Sequence, residues 1–457
     1  MRKEERTVLI VVCLGTFFHI QSMGSINVSL SAIQKDFTAS LAAVQWIGLM
    51  GAVSLSSLSL AFGRAGDLIG RTRVFKIGLS LYTLGAGLAA FSGSFSELLA
   101  FRCVMATGLA MSAPLAGAII ASVFPHESRG QALGLLTASI ALGRTTGPTI
   151  GGFILQLWGW RAVFLANFLF GIPTCLILFR VLRGADERRA GSFDFLGALS
   201  LIIGFPSLLI ALTLGARTNW ESPEIVFWFA AAAAGLASFV RQELRAGAPL
   251  MNLFYFKDRS LATALLSLVL ATLAFYPVTI FGPLYMRNVI EASPLWVGFA
   301  MAALPFCTTL FSPLSGRLAD RLNARWVAML GLCLILSGLY FYARLGVGST
   351  MAGSVLVLSV LGAGIGLFVP ATEKMAFATV PSRDYGMLSA MLTSFGTGSG
   401  ALGTAIAVAL AEAARGGAAI EDAAGFAHSQ QFAFASLLPL AVLAVLVTLA
   451  GRSRLKG

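Results

Sequence analysis

Of 457 residues, 57% are hydrophobic and 11% charged, with 49 glycines and a net charge of +12. So apolar a composition excludes an ordinary soluble domain and implies a polytopic membrane protein. The positive charge does not point to nucleic acid, because most of the 32 Lys and Arg fall in loops on the side of the N terminus, as the positive-inside rule places them when both termini are cytoplasmic.

Fourteen apolar runs are each long enough, at about twenty residues, to cross a hydrocarbon core roughly 30 Å thick. They lie near 8–31, 41–62, 74–94, 97–122, 130–155, 161–180, 195–215, 224–240, 261–284, 294–315, 326–343, 352–377, 386–411 and 432–450. The expected fold class is therefore all-α, with 14 transmembrane helices. The first run is too long for a signal-peptide core and has no convincing cleavage site, so it is expected to remain as a helix. It carries His19, and Gln21, Ser25 and Ser29 follow at helical spacing as a polar stripe, with Ser22 and Asn27 beside them. A lone His on a helix is commonly a hydrogen-bonded packing residue; the alternative is a proton carrier.

After the second run comes "GRAGDLIGRTR", 63–73. Gly63 and Gly70 suit a tight turn between antiparallel helices. Asp67 is placed to accept bonds from free N–H groups at the start of the third helix and to meet its positive dipole end. Arg71 and Arg73 are expected to anchor the loop at the cytoplasmic interface and to reach carboxylates on the other half. Arg102, about five residues into the fourth run, is either a snorkelling side chain or a cavity-facing one. Arg144 lies about fourteen residues into the fifth run, roughly 20 Å deep, beyond easy snorkelling. It either hydrogen-bonds carbonyls between helices or meets substrate or coupling ion. In the twelfth run Glu373 and Lys374 follow Pro370; they either face water at the membrane edge, or Glu373 is the acid available for proton exchange. Trp46, Phe275, Tyr276 and Phe281 are candidates for an amphipathic cavity lining, although such aromatics commonly face lipid or core. All five cysteines lie in apolar runs without metal-ligand spacing and read as packing residues.

A second charged stretch, "GRLADRLNARW" from Gly316, repeats the first. The displacement that carries Gly63 onto Gly316 also carries Asp67 onto Asp320, Gly143 onto Gly396 and Gly147 onto Gly400; Pro125 and Gly130 fall on Pro381 and Gly386 three residues later. Arg321 lies beside the second Asp, and Asn323 stands where Gly70 stands, Asn being the next most tolerant residue at positive φ. A displacement held so far along the chain argues for two homologous six-span bundles, 1–185 and 251–457. The runs at 195–215 and 224–240, within a linker at 186–250, have no counterpart and are expected to lie outside the twelve-helix core. Paired bundles place a site near the membrane midplane, reached alternately from either side.

At these residues the chain resembles the major facilitator superfamily, and within it the fourteen-span drug:proton antiporter branch. "GRAGDLIGRTR" is similar to the loop signature G-x-L-A-D-x-x-G-R-[RK], departing at Ala65, Gly66 and Thr72. "ALGRTTGPTIGG", 141–152, resembles the antiporter signature of the fifth helix and contains Gly143, Gly147, Pro148 and Gly151. "FRCVMATG" at 101 resembles the fourth-helix signature with its embedded Arg, and "GWRAVFLANFLFG" at 159, "FDFLG" at 193 and "LYMRNVIEASPLWVGFAMAALP" at 284 favour the fourteen-span branch. The resemblance implies a multi-pass cell-membrane protein, monomeric, that moves small molecules, with protons as a candidate coupling ion. Gating would fall to Gly63, Asp67, Gly70, Arg71, Gly316, Asp320 and Arg321 with the fifth-helix glycines. Substrate or proton contact would fall to His19, Gln21, Ser22, Asn27, Arg102, Arg144 and Glu373. In one respect the chain departs: Ser22 occupies the first-helix position where family members commonly carry an acid.

The leading expectation is export of small amphipathic compounds by alternating access. The alternatives are transport of an anionic metabolite or lipid, suggested by Arg102 and Arg144, and a receptor or scaffold that has lost transport. An enzyme is not expected, since no nucleophile with a base, metal cluster or phosphate-binding loop is present, and no cofactor is implied.

Overall fold

The computed structural model describes residues 3–124, 126–181, 193–215, 220–245, 251, 253–380, 385–415 and 423–451, and among these every long element is helical. In order they are α1 (Lys3–Asp36), α2 (Leu41–Ile69), α3 (Arg71–Ala90), α4 (Phe95–Val123), α5 (His126–Val181), α6 (Phe195–Gly215) and α7 (Pro223–Arg245). A short 3-10 turn at Leu253–Lys257 leads into α8 (Arg259–Phe275), α9 (Val278–Asn288), α10 (Pro294–Arg321), α11 (Ala324–Tyr342), α12 (Met351–Phe377), α13 (Tyr385–Arg415) and α14 (Ala423–Ala450). Twelve stretches among the described residues are long and apolar enough to cross a membrane. One of them, Ala132–Val181, is 50 residues long. At 1.5 Å per residue that is about 75 Å, more than two hydrocarbon thicknesses. Gly159 interrupts it with φ 78° and ψ 177°, a conformation only glycine adopts freely. The chain beyond this break is tied down by Asp36, whose Oδ2 accepts from Trp160 Nε1 at 3.0 Å and Arg161 NH1 at 2.8 Å.

Two expected spans differ in detail. α3 is not among the twelve, because Arg71, Arg73 and Lys76 occupy its first two turns. The run at 261–284 is not one regular helix: Pro277 has no N–H for the carbonyl of Leu273, and α8 stops at Phe275 before α9 begins at Val278. Thr279 Oγ1 instead donates to the Tyr276 carbonyl at 2.8 Å.

The helix pairings of α1–α5 recur in α8–α14. α3 on α4 matches α11 on α12, α2 on α4 matches α10 on α12, and α5 on α10 matches α13 on α2. α6 and α7 form an antiparallel pair held by the close approach of Gly204 to Gly235 and by Ser200 donating to Ser238 at 3.1 Å. α6 lies against both α2 and α13: Thr213 sits 3.4 Å from Gln45 Nε2, and the Phe205 ring borders Gly398. α2 and α13 remain in direct contact beneath it, with Ser59 Oγ and Ser394 Oγ 3.4 Å apart.

Small residues set the closest approaches. A Cβ on Gly147 would stand 2.5 Å from the Gln21 carbonyl oxygen, and one on Gly143 2.9 Å from that of Phe17; a Cβ on Gly151 would overlap Ser25. On the other flank of the same helix, Gly152 meets Pro294 and Gly298 of α10. Because lipid provides no hydrophobic drive between helices, such approaches and the polar bonds they permit carry the association. Ser25 Oγ accordingly donates to the Gly147 carbonyl at 2.8 Å, and Gln21 Nε2 donates to Ser25 Oγ at 2.8 Å. Gly63 is different: it is helical within α2, and a Cβ there would meet nothing within 4 Å. Gly147→Ala is expected to destabilise the detergent-solubilised protein by about 1–3 kcal/mol, as overpacking does, while Gly63→Ala is neutral or slightly stabilising. Thermal unfolding of the two variants measures the contrast; equal midpoints would mean that the α1–α5 crossing absorbs a methyl group without cost.

Candidate functional site

The expected gating loop is built from the end of α2. The helix runs on to Ile69, so Asp67 lies in its last turn and does not cap α3. Gly70 alone makes the corner, with φ 115°, and Gly63 takes no part in it. The Asp67 carboxylate holds Arg71: Arg71 NH2 lies 2.6 Å and Nε 2.8 Å from Asp67 Oδ1. Arg71 NH1 reaches the Ala118 carbonyl on α4 at 3.5 Å. The expectation that Asp67 accepts from helix N–H groups is thus corrected: a guanidinium four residues on is the stronger donor, and it ties the corner to its own bundle. The second copy is not a replica. Asn323 has φ −66° and caps α11 by accepting from Arg325 N at 3.0 Å, so the positive φ expected there is absent. Arg321 is exposed at the end of α10 and a Cβ on Gly316 would meet nothing, while the Asp320 side chain lies outside the described residues, as do Pro125 and Pro381.

Of the polar residues expected in the membrane, two are brought together. Arg144, one turn from the α5 residues that seal against α10, has an accessible side chain although it is deep in the fold. Its charge acts on Glu373 of α12 and on the Tyr276 hydroxyl at the α8–α9 break. Arg144 and Glu373 make no hydrogen bond to each other or to any described residue, so the reading of Arg144 as a donor to interface carbonyls is not what the structure displays. Lys374, beside Glu373, donates to the Ala319 carbonyl at 2.7 Å and turns toward α10. Tyr276 is positioned by two features: Pro277, which breaks the helix, and Gly400, where a Cβ would come 2.6 Å from the ring. Gly400 is the repeat counterpart of Gly147, and the two spare room for different neighbours. Asn27, half-buried, points its side-chain oxygen at Gly48 on α2.

Others turn elsewhere. Arg102 is 3% exposed and donates to the Ile47 carbonyl from Nε at 3.1 Å and NH2 at 2.7 Å, so it neither faces the cavity nor snorkels. His19 points into the first bundle, with Nδ1 3.1 Å from Ser112 Oγ, and Ser22 is likewise enclosed. Gln21 and Ser25 serve the α1–α5 crossing. Phe281 is core, edge-on to Phe434, and lines no cavity. Reasoning from sequence passed over Tyr82, whose ring stands 4.3 Å from His19; a tyrosine in the middle of an apolar run was the available signal.

A membrane-helical protein in which two repeated bundles bring opposite charges within electrostatic reach of each other has the construction of a transporter. The chain belongs to the Major Facilitator Superfamily, whose family pattern matches residues 12–287 and, a second time, 264–455. It is 30% identical over 401 residues to the multidrug resistance protein Stp of Mycobacterium tuberculosis, covering 86% of this chain and 73% of that protein. It is 26% identical to the riboflavin transporter RibZ of Clostridioides difficile, over 88% of this chain and 87% of that one. The lincomycin resistance protein LmrB of Listeria monocytogenes is also 26% identical, over 92% and 89%. The crystal structure of a bacterial homolog of the human lysosomal transporter Spinster, inward-facing and occupied, shares the fold with a TM-score of 0.72 at 18% identity, over 100% of this chain and 98% of that one. Within the superfamily the chain resembles the drug:proton antiporter branch.

The different surroundings of Arg102 and Arg144 have a direct readout. In a cysteine-free background, Arg144→Cys is expected to react with a membrane-impermeant thiol reagent from one side of the membrane, and Arg102→Cys to resist it. Equal labelling of both positions would remove Arg144 from the accessible centre.

Proposed function

We propose that this transporter exports small amphipathic organic compounds by alternating access, with Arg144, Glu373 and Tyr276 as the central contact site. The observation that carries the reading is the unbonded pair of opposite charges, Arg144 from the first bundle and Glu373 from the second. Two charges that attract across the centre without a fixed bond leave room for a ligand between them. Protonation of Glu373 removes the attraction, so a proton and a cargo molecule compete for the same carboxylate. Tyr276 supplies an aromatic face with a polar edge, suited to amphipathic cargo. Export, as opposed to uptake, is supported by the drug-resistance relatives.

In this reading residues 1–185 and 251–457 form the rocking bundles, the chain crosses the membrane fourteen times, and both termini are cytoplasmic. Gly159 divides α5 into two crossings and α8 with α9 makes one. Asp67 and Arg71 rigidify the corner that moves with the first bundle. Since the centre holds one positive and one negative group, neutral and zwitterionic amphiphiles are the expected cargo, ahead of permanent cations. The riboflavin transporter among the relatives supports a second possibility, a metabolite cargo, for which the same residues would serve.

The test is transport in proteoliposomes of purified protein, with and without a pH gradient, using matched cationic, neutral, zwitterionic and anionic compounds. Glu373→Gln is expected to abolish the response to the pH gradient while counterflow exchange of cargo continues. Arg144→Ala is expected to weaken binding of cargo with an acidic group by about tenfold, the worth of one charge-assisted hydrogen bond, and to spare neutral cargo. A Glu373→Gln protein that still concentrates cargo against its gradient when a pH gradient is imposed would sink proton exchange at this carboxylate.

A further inference from the structure

Within the first bundle, separate from the Arg144–Glu373 centre, four polar side chains on α1, α3 and α4 are enclosed: His19, Ser22, Tyr82 and Arg102 are 2%, 0%, 1% and 3% exposed. Arg102 is the charged member. A guanidinium carries five N–H donors. Arg102 commits Nε and one NH2 hydrogen to the Ile47 carbonyl, and NH1 to the Met105 thioether at 3.7 Å, a weak acceptor. Both acceptors are neutral. Among the described residues no carboxylate pairs with Arg102.

The groups around it are left open. Its charge acts on the Tyr82 hydroxyl. That hydroxyl faces the Ser22 hydroxyl without hydrogen-bond geometry, and Tyr82 Oη and Ser22 Oγ have no partner. The Tyr82 ring lies tilted against His19, whose Nε2 is also without a partner, while its Nδ1 is engaged by Ser112. Because the Ser112 hydroxyl gives its one proton to the Gly108 carbonyl at 3.0 Å, it accepts from His19 Nδ1–H, and Nε2 is left as a bare acceptor that a hydroxyl or guanidinium proton can reach only by turning from the site. The groups able to donate into the enclosure are therefore a guanidinium and two hydroxyls, and no anionic acceptor accompanies them.

Buried charges are found paired, and buried donors bonded. A water molecule would satisfy donors but leave the charge of Arg102 uncompensated; a small anion does both. We propose that this enclosed site binds a monovalent inorganic anion of halide type, held by Arg102 with the Tyr82 and Ser22 hydroxyls and acting as the counter-charge that the chain omits. The bound anion joins α1, α3 and α4, so it stabilises the first bundle whatever cargo the transporter carries.

The test uses the purified full-length protein in detergent, with thermal unfolding followed at matched ionic strength in sodium chloride, sodium bromide and sodium gluconate. The expected result is a saturable rise of the midpoint with chloride or bromide and none with gluconate. Tyr82→Phe, which keeps the ring, should weaken the apparent halide affinity about tenfold, as loss of a hydrogen bond to a charged group does. Ser22→Asp places a carboxylate among the same donors and should raise the midpoint in gluconate while abolishing the halide response. Crystals grown in bromide should show an anomalous peak between Arg102, Tyr82 and Ser22. Identical midpoints in the three salts, an ordered water with no anomalous signal at this place, or a halide response that survives Ser22→Asp unchanged would each overturn the proposal.

Discussion

The close crossing of α1 over α5 is the contact on which the centre of this molecule depends. Gly143, Gly147 and Gly151 repeat every fourth residue, so one face of α5 has no side chains to hold α1 away. With the backbones together, Ser25 can reach the Gly147 carbonyl, and a short polar bond replaces the hydrophobic drive that lipid does not provide. The opposite flank of α5 meets α10 through Gly152 and Gly298. One helix thereby joins its own bundle and the other, and the residue between these two contact zones, Arg144, is carried to the place where the bundles face each other. Larger residues at these positions would separate the helices and move that charge.

The repeat is kept in the helix pairings and abandoned in the site. Gly147 and Gly400 correspond, yet the first admits a backbone and the second an aromatic ring. The difference originates in Pro277, which halts α8 and turns Tyr276 inward, whereas α1 runs unbroken through the equivalent level. The charges are also unequal: the first bundle contributes a base and the second an acid. An arrangement with exact two-fold symmetry would set like charges opposite each other, and like charges in a site of low dielectric repel.

Much of this was legible in the residues. Apolar run lengths located the helices, the constant displacement disclosed the paired bundles, and Gly70 announced its corner, since these depend on local chemistry. Arg144 and Glu373 stood out because charges are rare in such runs. What stayed hidden depends on direction around a helix axis. The sequence leaves Arg102 either snorkelling or facing the cavity, and it does neither, because a small rotation about the helix axis decides whether a guanidinium finds solvent or the Ile47 carbonyl. The position of Asp67 before an apolar run suits a cap, but the helix extends through it, and Arg71 competes successfully for its oxygens. Asn323 at the place of Gly70 suits a positive φ, and it caps instead, because the chain there reaches α11 with ordinary dihedrals.

α6 rests on α2 with one side and on α13 with the other, at a seam where the two bundles also touch directly. No equivalent helix among the described residues straddles the seam of α5 and α10. Leu209 of α6 is buried among Leu49, Ala52 and Val53 of α2 and Ala401 and Ala405 of α13, beside the 3.4 Å approach of Thr213 to Gln45 and the Phe205 ring laid on Gly398. In mechanical terms α6 is a friction pad on one side of a two-sided joint. Relative movement of the bundles would therefore meet drag along α2 and α13 that has no counterpart along α5 and α10.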